Sequence, residues 1–353
     1  MVYGATGYTG RLVVERALSR GHRPVLAGRD PQAVASVAAA SGLPHRVFPL
    51  TDDAAVRAAL RDVDVVASCA GPFSATAAAL LDGCLGSGTS YVDVTGEIDV
   101  LEAVLARSAE VRTAGVTALP GSGFDVVPTD CLAAMVVAAL PDARALDIAF
   151  VAGGGPSRGT ARTALEGLRL GTRARVDGRI ATLPRMRRRT AVFPSGPTTV
   201  TAVPWGDVST AYHSTGVGDV VTYTRLPTSR AADAGRRLAA GVLRMPGARA
   251  ALTTLVDRRV RGPDVERRSG SRCEVWVEAR DHEGRRMSGS LTTPNGYDLT
   301  ADSVVRVVDR VLAGAVPPGA HTPSQAHGPG FVLELDGVEL HHLDDPGSDD
   351  DDG

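Results

Sequence analysis

Short apolar runs alternate with longer amphipathic stretches through residues 1–120. The apolar runs predict strands at residues 2–3, 24–27, 47–48, 64–70, 91–94 and 116–119. The stretches between them predict helices at residues 11–20, 31–40, 51–61, 75–85 and 98–113. The run at 64–70 is nearly all apolar, as in a strand buried on both faces of a sheet. This regular alternation predicts an α/β fold with a doubly wound parallel sheet.

Beyond residue 145, strands follow one another with few helices between them. Strands are predicted at residues 146–151, 175–182, 190–193, 198–203 and 220–224, and a hairpin at residues 273–280 and 285–293. Helices are predicted at residues 157–170 and 297–313, the second being amphipathic, with Val304, Val305, Val308 and Leu312 along one side. Such runs of strands with inserted helices predict a second, α+β domain of mainly antiparallel strands.

A glycine motif falls between the first predicted strand and the first predicted helix. Gly4, Gly7 and Gly10 are spaced three and three, as in a turn that brings the backbone close to a pyrophosphate at a helix N-terminus. The position at the first β–α turn makes the motif a specific signal for a dinucleotide. The predicted cofactor-binding residues of this turn are Gly4, Ala5, Thr6, Gly7, Tyr8, Thr9 and Gly10.

The end of the second predicted strand indicates which dinucleotide is bound. A site for NAD usually places Asp or Glu there, against the ribose 2′-hydroxyl. Here Arg29 stands at that position, and its guanidinium suits a 2′-phosphate. Asp30 is better explained as the cap of the next helix, with Pro31 at its first position. NADP is therefore favoured over NAD.

Composition excludes several kinds of chemistry. All 38 basic residues are arginine, so enzymes that depend on a catalytic or phosphate-binding lysine are excluded. The net charge of −2 gives no bias toward nucleic acid. No CxxC pair is present among Cys69, Cys84, Cys131 and Cys273, which predicts reduced thiols, no metal site and a cytoplasmic protein. Only three residues precede Gly4, fewer than a parallel strand usually has, so we expect the natural protein to begin further upstream.

Five segments carry a resemblance that covers most of the chain. They are residues 4–10, 27–30, 69–73, 91–97 and 123–130, and residues 322–323 and 328–331 extend it. In this order they resemble the saccharopine dehydrogenase-like NADP-binding proteins, and the branch that looks nearest is that of the bacterial trans-acting enoyl reductases. Lysine-forming saccharopine dehydrogenase relies on a catalytic lysine, so this chain does not fit that enzyme.

The resemblance implies roles for individual residues. Cys69, Ala70, Gly71 and Pro72 would run beneath the nicotinamide ribose, the alternative being an ordinary strand-to-helix turn. Asp52 is either an adenine contact or a helix cap. Tyr91 and Asp125 could line the same cleft. Apart from the resemblance, residues 204–213 cluster aromatic and polar groups and form either a substrate wall, with His213 as proton donor, or a structural loop. Tyr91, Asp125 and His213 are therefore the candidate proton donors, although each is also explained by a structural role. No residue set suggests a metal, since His341 and His342 lack further ligands at suitable spacing.

The motifs divide the chain into four predicted parts: a Rossmann NADP-binding domain at 1–122, an α+β substrate or dimerisation domain at 123–297, a segment at 298–335 that packs back on the first domain, and a disordered acidic tail at 336–353. The expected activity is NADP(H)-dependent reduction of an activated C=C (enoyl) or C=N bond. Two alternatives stay open: a non-catalytic NADP(H)-binding regulator, and a reductase that works only with a polyketide synthase.

The expected partners follow from these alternatives. They are a small-molecule or carrier-bound acyl substrate, a megasynthase or membrane surface, and a second copy of the chain in a homodimer. The basic run at residues 185–189 is either a solvated hairpin or a docking surface for an acidic partner. The residue set Arg258, Arg259 and Arg261 has the same two interpretations.

Overall fold

The computed structural model of the protein describes residues 1–153, 171–227 and 262–344, with single residues between these ranges. The chain forms two compact units. The first unit comprises Met1–Val127 and Gly296–Gly328, and the second comprises Pro128–Asn295 and Pro329–Gly353.

Strands and helices are numbered along the described chain. The strands are β1 (Val2–Tyr3), β2 (Leu26–Gly28), β3 (His45–Val47), β4 (Val65–Ser68), β5 (Ser90–Asp93), β6 (Thr117–Leu119), β7 (Ala145–Val151), β8 (Arg173–Val176), β9 (Arg179–Thr182), β10 (Arg188–Phe193), β11 (Gly196–Ala202), β12 (Asp219–Thr224), β13 (Arg272–Arg280), β14 (Arg286–Pro294), β15 (Gly319–Ala320) and β16 (Glu339–Asp344). The helices are α1 (Tyr8–Ser19), α2 (Pro31–Ser41), α3 (Asp53–Leu60), α4 (Ala77–Ser87), α5 (Ile98–Ala106), α6 (Ser108–Thr113), α7 (Val127–Ala139), α8 (Asp207–Thr215), α9 (Val265–Ser269), α10 (Gly296–Leu312) and α11 (Pro323–His327).

A parallel sheet forms the first unit, in the order β15-β6-β5-β4-β1-β2-β3. The predicted doubly wound sheet is confirmed. Strand β1 lies between β2 and β4, so the strand order reverses next to it. In open α/β sheets such a reversal leaves a crevice at the carboxyl ends of the strands, where ligands bind. The glycine turn follows β1 and therefore lies at this edge.

Helices α2 and α3 of the first unit each begin at an aspartate that caps them. Asp30 accepts a hydrogen bond from the Ala33 N–H and begins α2 as predicted. Asp52 accepts bonds from the amides of Ala54 and Ala55 at the start of α3. The cap interpretation of Asp52 thus has direct support in the structure.

Helix α10 belongs to the first unit, the domain on which the resemblance implies that it packs. It packs beside α1, where the Arg16 guanidinium is 2.5 Å from the Asp302 carboxylate. The rings of Tyr8 and Tyr297 meet edge to face at 4.8 Å between centroids. After Gly328 the chain passes into the second unit, so residues 329–335 do not share the predicted placement with α10.

The second unit is a mixed, mostly antiparallel sheet in the order β10-β11-β12-β7-β13-β14-β16, with the β8–β9 hairpin attached to β12. The predicted α+β class is confirmed, and β12 with β7 is its parallel pair. Its core joins Trp276, Tyr223 and Phe193 with smaller apolar side chains.

Four predicted elements differ from the structure. Residues 175–182 form parts of two strands, because Asp177 and Gly178 adopt positive φ and make a turn. The helix predicted at 98–113 breaks at Arg107. The stretch 204–213, for which a substrate wall and a structural loop were both open, contains most of α8.

The fourth difference concerns the acidic end of the chain. Residues 339–344 were assigned to a disordered tail, but they form β16, which pairs with β14. Its Leu343 side chain lies against Gly289, an apolar contact that the surrounding charged residues conceal in the sequence. The helix predicted at 157–170, most of the Arg258–Arg261 group and residues 345–353 lie outside the described residues.

Candidate functional site

The glycine turn depends on two positions that no other residue can occupy without displacement of the backbone. Gly4 has φ of +84°, and a Cβ there would lie 2.9 Å from the Ala70 nitrogen. A Cβ on Gly10 would lie 2.2 Å from the Gly4 carbonyl oxygen. The turn after β1, the first turn of α1 and the loop after β4 are therefore held in close contact.

The N-terminus of α1 faces the same edge of the sheet. Gly7 occupies its cap position, no side chain caps it, and no acidic residue lies in its first turn. The positive end of the helix dipole is therefore not neutralised by a nearby carboxylate. A helix start of this kind binds phosphate groups. The structure thus brings together Gly4–Gly10 in the arrangement that the motif predicted.

Arg29 follows β2 directly and is exposed. Its position after the second strand is the one that decides between a ribose hydroxyl and a 2′-phosphate. The Asp52 carboxylate, for which an adenine contact was one of two interpretations, accepts hydrogen bonds from two amides of α3.

The predicted nicotinamide-side loop leaves the sheet after β4 and contacts the glycine turn. The Cys69 amide donates to the Tyr3 carbonyl over 2.8 Å. Burial raises the pKa of the Cys69 thiol to about 12, so the thiol stays protonated. The Gly71–Pro72 peptide is cis, and the Thr76 hydroxyl donates to the Ala70 carbonyl.

Asp93 and Tyr91 form a buried pair at the end of β5. The Tyr91 side chain is fully buried in the hydrophobic core, and its hydroxyl donates to Asp93 over 2.6 Å. Asp93 also accepts from the amides of Thr95 and Gly121, each at 2.9 Å. Burial raises the pKa of Asp93 to about 6, against the effect of these hydrogen bonds. This burial argues against the predicted role of Tyr91 as proton donor.

Asp125 lies in the loop between β6 and α7. Its residue is half-buried, and within the described chain no hydrogen bond or ion pair reaches its carboxyl group. Desolvation by burial raises its pKa to about 7. A Cβ at Gly96 would lie 3.0 Å from the Asp125 Oδ2, so Gly96 leaves the room that the carboxyl group occupies. A carboxyl group with this pKa exchanges protons near neutral pH.

His213, the third candidate donor, lies on α8 in the second unit. Its ring meets Tyr212 edge to face, and the Arg175 guanidinium covers the Tyr212 ring at 4.0 Å. Near it, Thr129 donates to Asp207 and Ser214 donates to Asp130. The structure thus gives His213 a polar, partly buried surrounding in a different unit from Asp125.

A cavity of about 260 Å³ lies in the first unit at the opposite edge of the sheet. Its lining includes Met1, Pro24, Val65 and Val305. It does not contain the glycine turn, so it is not the predicted cofactor site. Within the described ranges, no group of three or more His, Cys, Asp or Glu side chains could hold a metal ion. Nor does any helix in this part of the chain have the length and apolar character needed to cross a bilayer.

Comparison with known proteins defines the class of the first unit. Residues 4–122 match a family model described as NAD(P)H-binding. This agrees with the glycine turn, the uncapped helix and the strand order, so the first unit is an NAD(P)-binding Rossmann domain.

Relatives extend the comparison beyond this domain class. A Mycobacterium tuberculosis protein named as a trans-acting enoyl reductase is 33% identical over 138 residues, which cover 37% of this chain and 33% of the relative. The human saccharopine dehydrogenase-like oxidoreductase is 27% identical over 150 residues, with 37% and 35% covered. The chain is similar to trans-acting enoyl reductases and saccharopine dehydrogenase-like oxidoreductases, which is the resemblance that its motifs predicted. The match spans about a third of the length of these curated relatives.

Solved structures show the same fold along nearly the whole chain. Saccharopine dehydrogenase (L-Glu forming) from Saccharomyces cerevisiae has a TM-score of 0.59 at 13% identity and covers 97% of this chain and 99% of its own. Homospermidine synthase from Legionella pneumophila, in complex with NAD, has a TM-score of 0.60 at 11% identity, with 97% and 90% covered.

Three residues of this edge were not predicted with their present roles. Gly96 provides the space for the Asp125 carboxyl group, and Asp93 and Glu97 accept hydrogen bonds from loop amides. The motif at residues 91–97 contains all three, so its position after a strand was the available signal.

Proposed function

We propose that the protein is an NADP(H)-dependent reductase that acts on an activated C=C or C=N bond. One observation carries the proposal: the uncapped N-terminus of α1 is fixed by Gly4 and Gly10 where the strand order reverses. This is an anion site of the kind that holds a pyrophosphate. The enoyl reductase name of the Mycobacterium relative favours an enoyl thioester as substrate.

NADP rather than NAD is proposed because of Arg29. Its guanidinium is exposed after β2, at the position where a 2′-phosphate would lie. The competing acidic side chain, Asp30, is engaged as the cap of α2.

Asp125 is the proposed proton donor. The bound dinucleotide would supply hydride to one carbon of the activated double bond. Reduction then needs one proton at the other atom of that bond, and the protonated Asp125 carboxyl would donate it. Because its pKa is about 7, the group is partly protonated at neutral pH and regains its proton from water. Burial raises the pKa of the Cys69 thiol and of the Tyr91 hydroxyl, so both are weaker acids than Asp125 and less suited to donate this proton.

Titration of the purified protein with NADPH and NADH, followed by nucleotide fluorescence, tests the cofactor part. We expect NADPH to bind more tightly than NADH. Arg29→Ala should raise the Kd of NADPH roughly tenfold and change the Kd of NADH little. Arg112→Ala, which removes an exposed arginine of α6, is the matched control. Equal loss of both nucleotides in Arg29→Ala would contradict the NADP assignment.

Consumption of NADPH with enoyl thioesters tests the reaction. Free and carrier-bound thioesters should be compared, since a reductase that needs a megasynthase would accept only the second. Tight NADPH binding without turnover on either kind of substrate, or on imines, would favour a non-catalytic regulator.

A further inference from the structure

Glu97 stands at the start of α5, yet its carboxylate does not cap that helix. It reaches instead to the loop after β4, where it accepts hydrogen bonds from the backbone amides of Phe73 and Ser74, both at 2.8 Å. The two carboxylate oxygens are used separately, Oε1 by Phe73 and Oε2 by Ser74. A side chain in the β5–α5 junction thus binds two successive amides of the neighbouring loop.

The loop that Glu97 holds is the same one that contacts the glycine turn. Residues 69–70 lie against Gly4 so closely that a Cβ on Gly4 would overlap them. Between this contact and Phe73 the loop contains Gly71 and Pro72, neither of which brings a hydrogen-bonding side chain. The loop is therefore fixed at one end by Gly4 and at the other by Glu97. Thr76, which follows the Glu97 contacts, donates back to the Ala70 carbonyl.

We propose that Glu97 is a positioning residue for the nicotinamide half of the cofactor site. It would act through the loop at 69–74 rather than by touching the cofactor, and this rests on the proposed NADP(H) function. The adenine half depends on other elements, namely the glycine turn and the end of β2. Loss of the Glu97 contacts should therefore weaken the binding of the whole dinucleotide but not the binding of a ligand that carries only its adenine half.

Glu97→Gln is the variant that tests this most directly. It keeps the size of the side chain but replaces one acceptor oxygen with an NH₂ group, which would face an N–H donor. One of the two loop amides then loses its partner. We expect the Kd of NADPH to rise roughly tenfold, while the Kd of 2′-phospho-AMP, which carries only the adenine half, stays the same.

Two further variants separate positioning from charge and from general stability. Glu97→Asp keeps the charge but is too short to reach both amides, so it should also weaken NADPH. Asp264→Asn removes a carboxylate that accepts a backbone amide in the second unit, from Arg267, and should leave both ligands unchanged. The melting temperature of each variant is measured alongside.

The outcomes are distinct. Unchanged NADPH affinity in Glu97→Gln, or equal weakening of NADPH and 2′-phospho-AMP, would overturn this inference alone. Failure of the wild type to bind NADPH or NADH would overturn the proposed function and this inference with it. If Glu97→Gln does not fold, hydrogen exchange of the backbone amides in the wild type decides. The amides of Phe73 and Ser74 are expected to exchange slowly without nucleotide. Fast exchange would contradict the proposal that Glu97 fixes this loop.

Discussion

Two pairs of acidic side chains, one pair in each unit, differ in their partners. In the second unit, Asp147 and Glu278 lie opposite each other on β7 and β13 and are both nearly buried. Arg189 binds both of them, at 2.9 Å for Glu278, and Arg280 is 3.0 Å from Asp147. The Arg189 guanidinium also covers the Trp276 ring at 4.5 Å.

At the carboxyl edge of the first sheet, Asp93 is buried and Asp125 is half-buried, and neither has such a cation among the described residues. Among the described residues, no arginine forms an ion pair with either. Asp93 accepts hydrogen bonds from one hydroxyl and two amides. Desolvation by burial raises the pKa of Asp125, and no hydrogen bond within the described chain opposes it. Burial without a cation favours the protonated acid, whereas pairing with arginine favours the ion. Asp147 and Glu278 are thus structural partners of arginine, whereas the raised pKa of Asp125 suits proton exchange near neutral pH.

The largest expected effect is loss of the cation in the second unit. Arg189→Met leaves Asp147 and Glu278 with the more exposed Arg280 and Arg286. Breaking a buried pair in this way costs about 3–5 kcal/mol. Both tryptophans, Trp205 and Trp276, belong to this unit, so their fluorescence during urea unfolding reports it.

The matched control for that variant is Arg286→Met. Arg286 is 54% exposed and 4.0 Å from Glu278, so its loss should cost less than about 1 kcal/mol. Similar losses in the free energy of unfolding for the two variants would show that the ion pairs of Arg189 do not stabilise the second unit as expected. The same network shows that the basic run at 185–189 is not wholly a solvated surface.

The order of strands and helices could be predicted because it depends on local signals. Asp30 followed by Pro31 defines a helix start, and a strand such as β4, apolar on both faces, defines a central position in a parallel sheet. The glycine turn was also predictable, since Gly4 and Gly10 are required by a close backbone approach that other residues cannot make.

The chemistry of the acidic residues could not be predicted in the same way. Whether an Asp is paired depends on side chains distant in sequence, as with Asp147 and Arg189. Tyr91 was chosen because it lies near a strand end, but its side chain turns into the core. Strand β16 was missed because its charged residues outweigh a short apolar alternation. Each of these requires tertiary contacts that periodicity does not contain.

The second prediction concerns Asp125. If its protonated carboxyl donates the proton, turnover should fall as pH rises through about 7, because the donor loses its proton. Asp125→Asn should lower kcat roughly a hundredfold and remove this decline with pH. Steady-state rates with NADPH and the best acceptor, from pH 5.5 to 9 in steps of about half a unit, measure both.

Asp82→Asn serves as the control for Asp125→Asn. Asp82 is 61% exposed and pairs with Arg107, so it resembles the paired carboxylates rather than the isolated one. It should keep the wild-type pH profile. A profile that is unchanged in Asp125→Asn would assign the proton to another group and remove the functional half of the comparison.

The smallest expected effect separates burial from hydrogen bonding at Asp93. At this position asparagine replaces the oxygen that faces the Tyr91 hydroxyl with an NH₂ group, so Asp93→Asn should cost about 1–3 kcal/mol at pH 5. The pKa of Asp93 is raised from 3.8 to about 6 in the folded protein, which therefore holds the proton more tightly than the unfolded chain does. Wild-type stability is then lost as pH rises through about 6, while the variant has no such titration.

The cost of Asp93→Asn should accordingly be largest at low pH and shrink at pH 8. Asp125 titrates in both proteins, so its contribution cancels in the difference. Calorimetry measures this in the transition that tryptophan fluorescence does not report, since the first unit contains no tryptophan. A cost that instead grows with pH would mean that the three hydrogen bonds outweigh desolvation. Asp93 would then behave like Asp147 and Glu278, and Asp125 alone would differ from them.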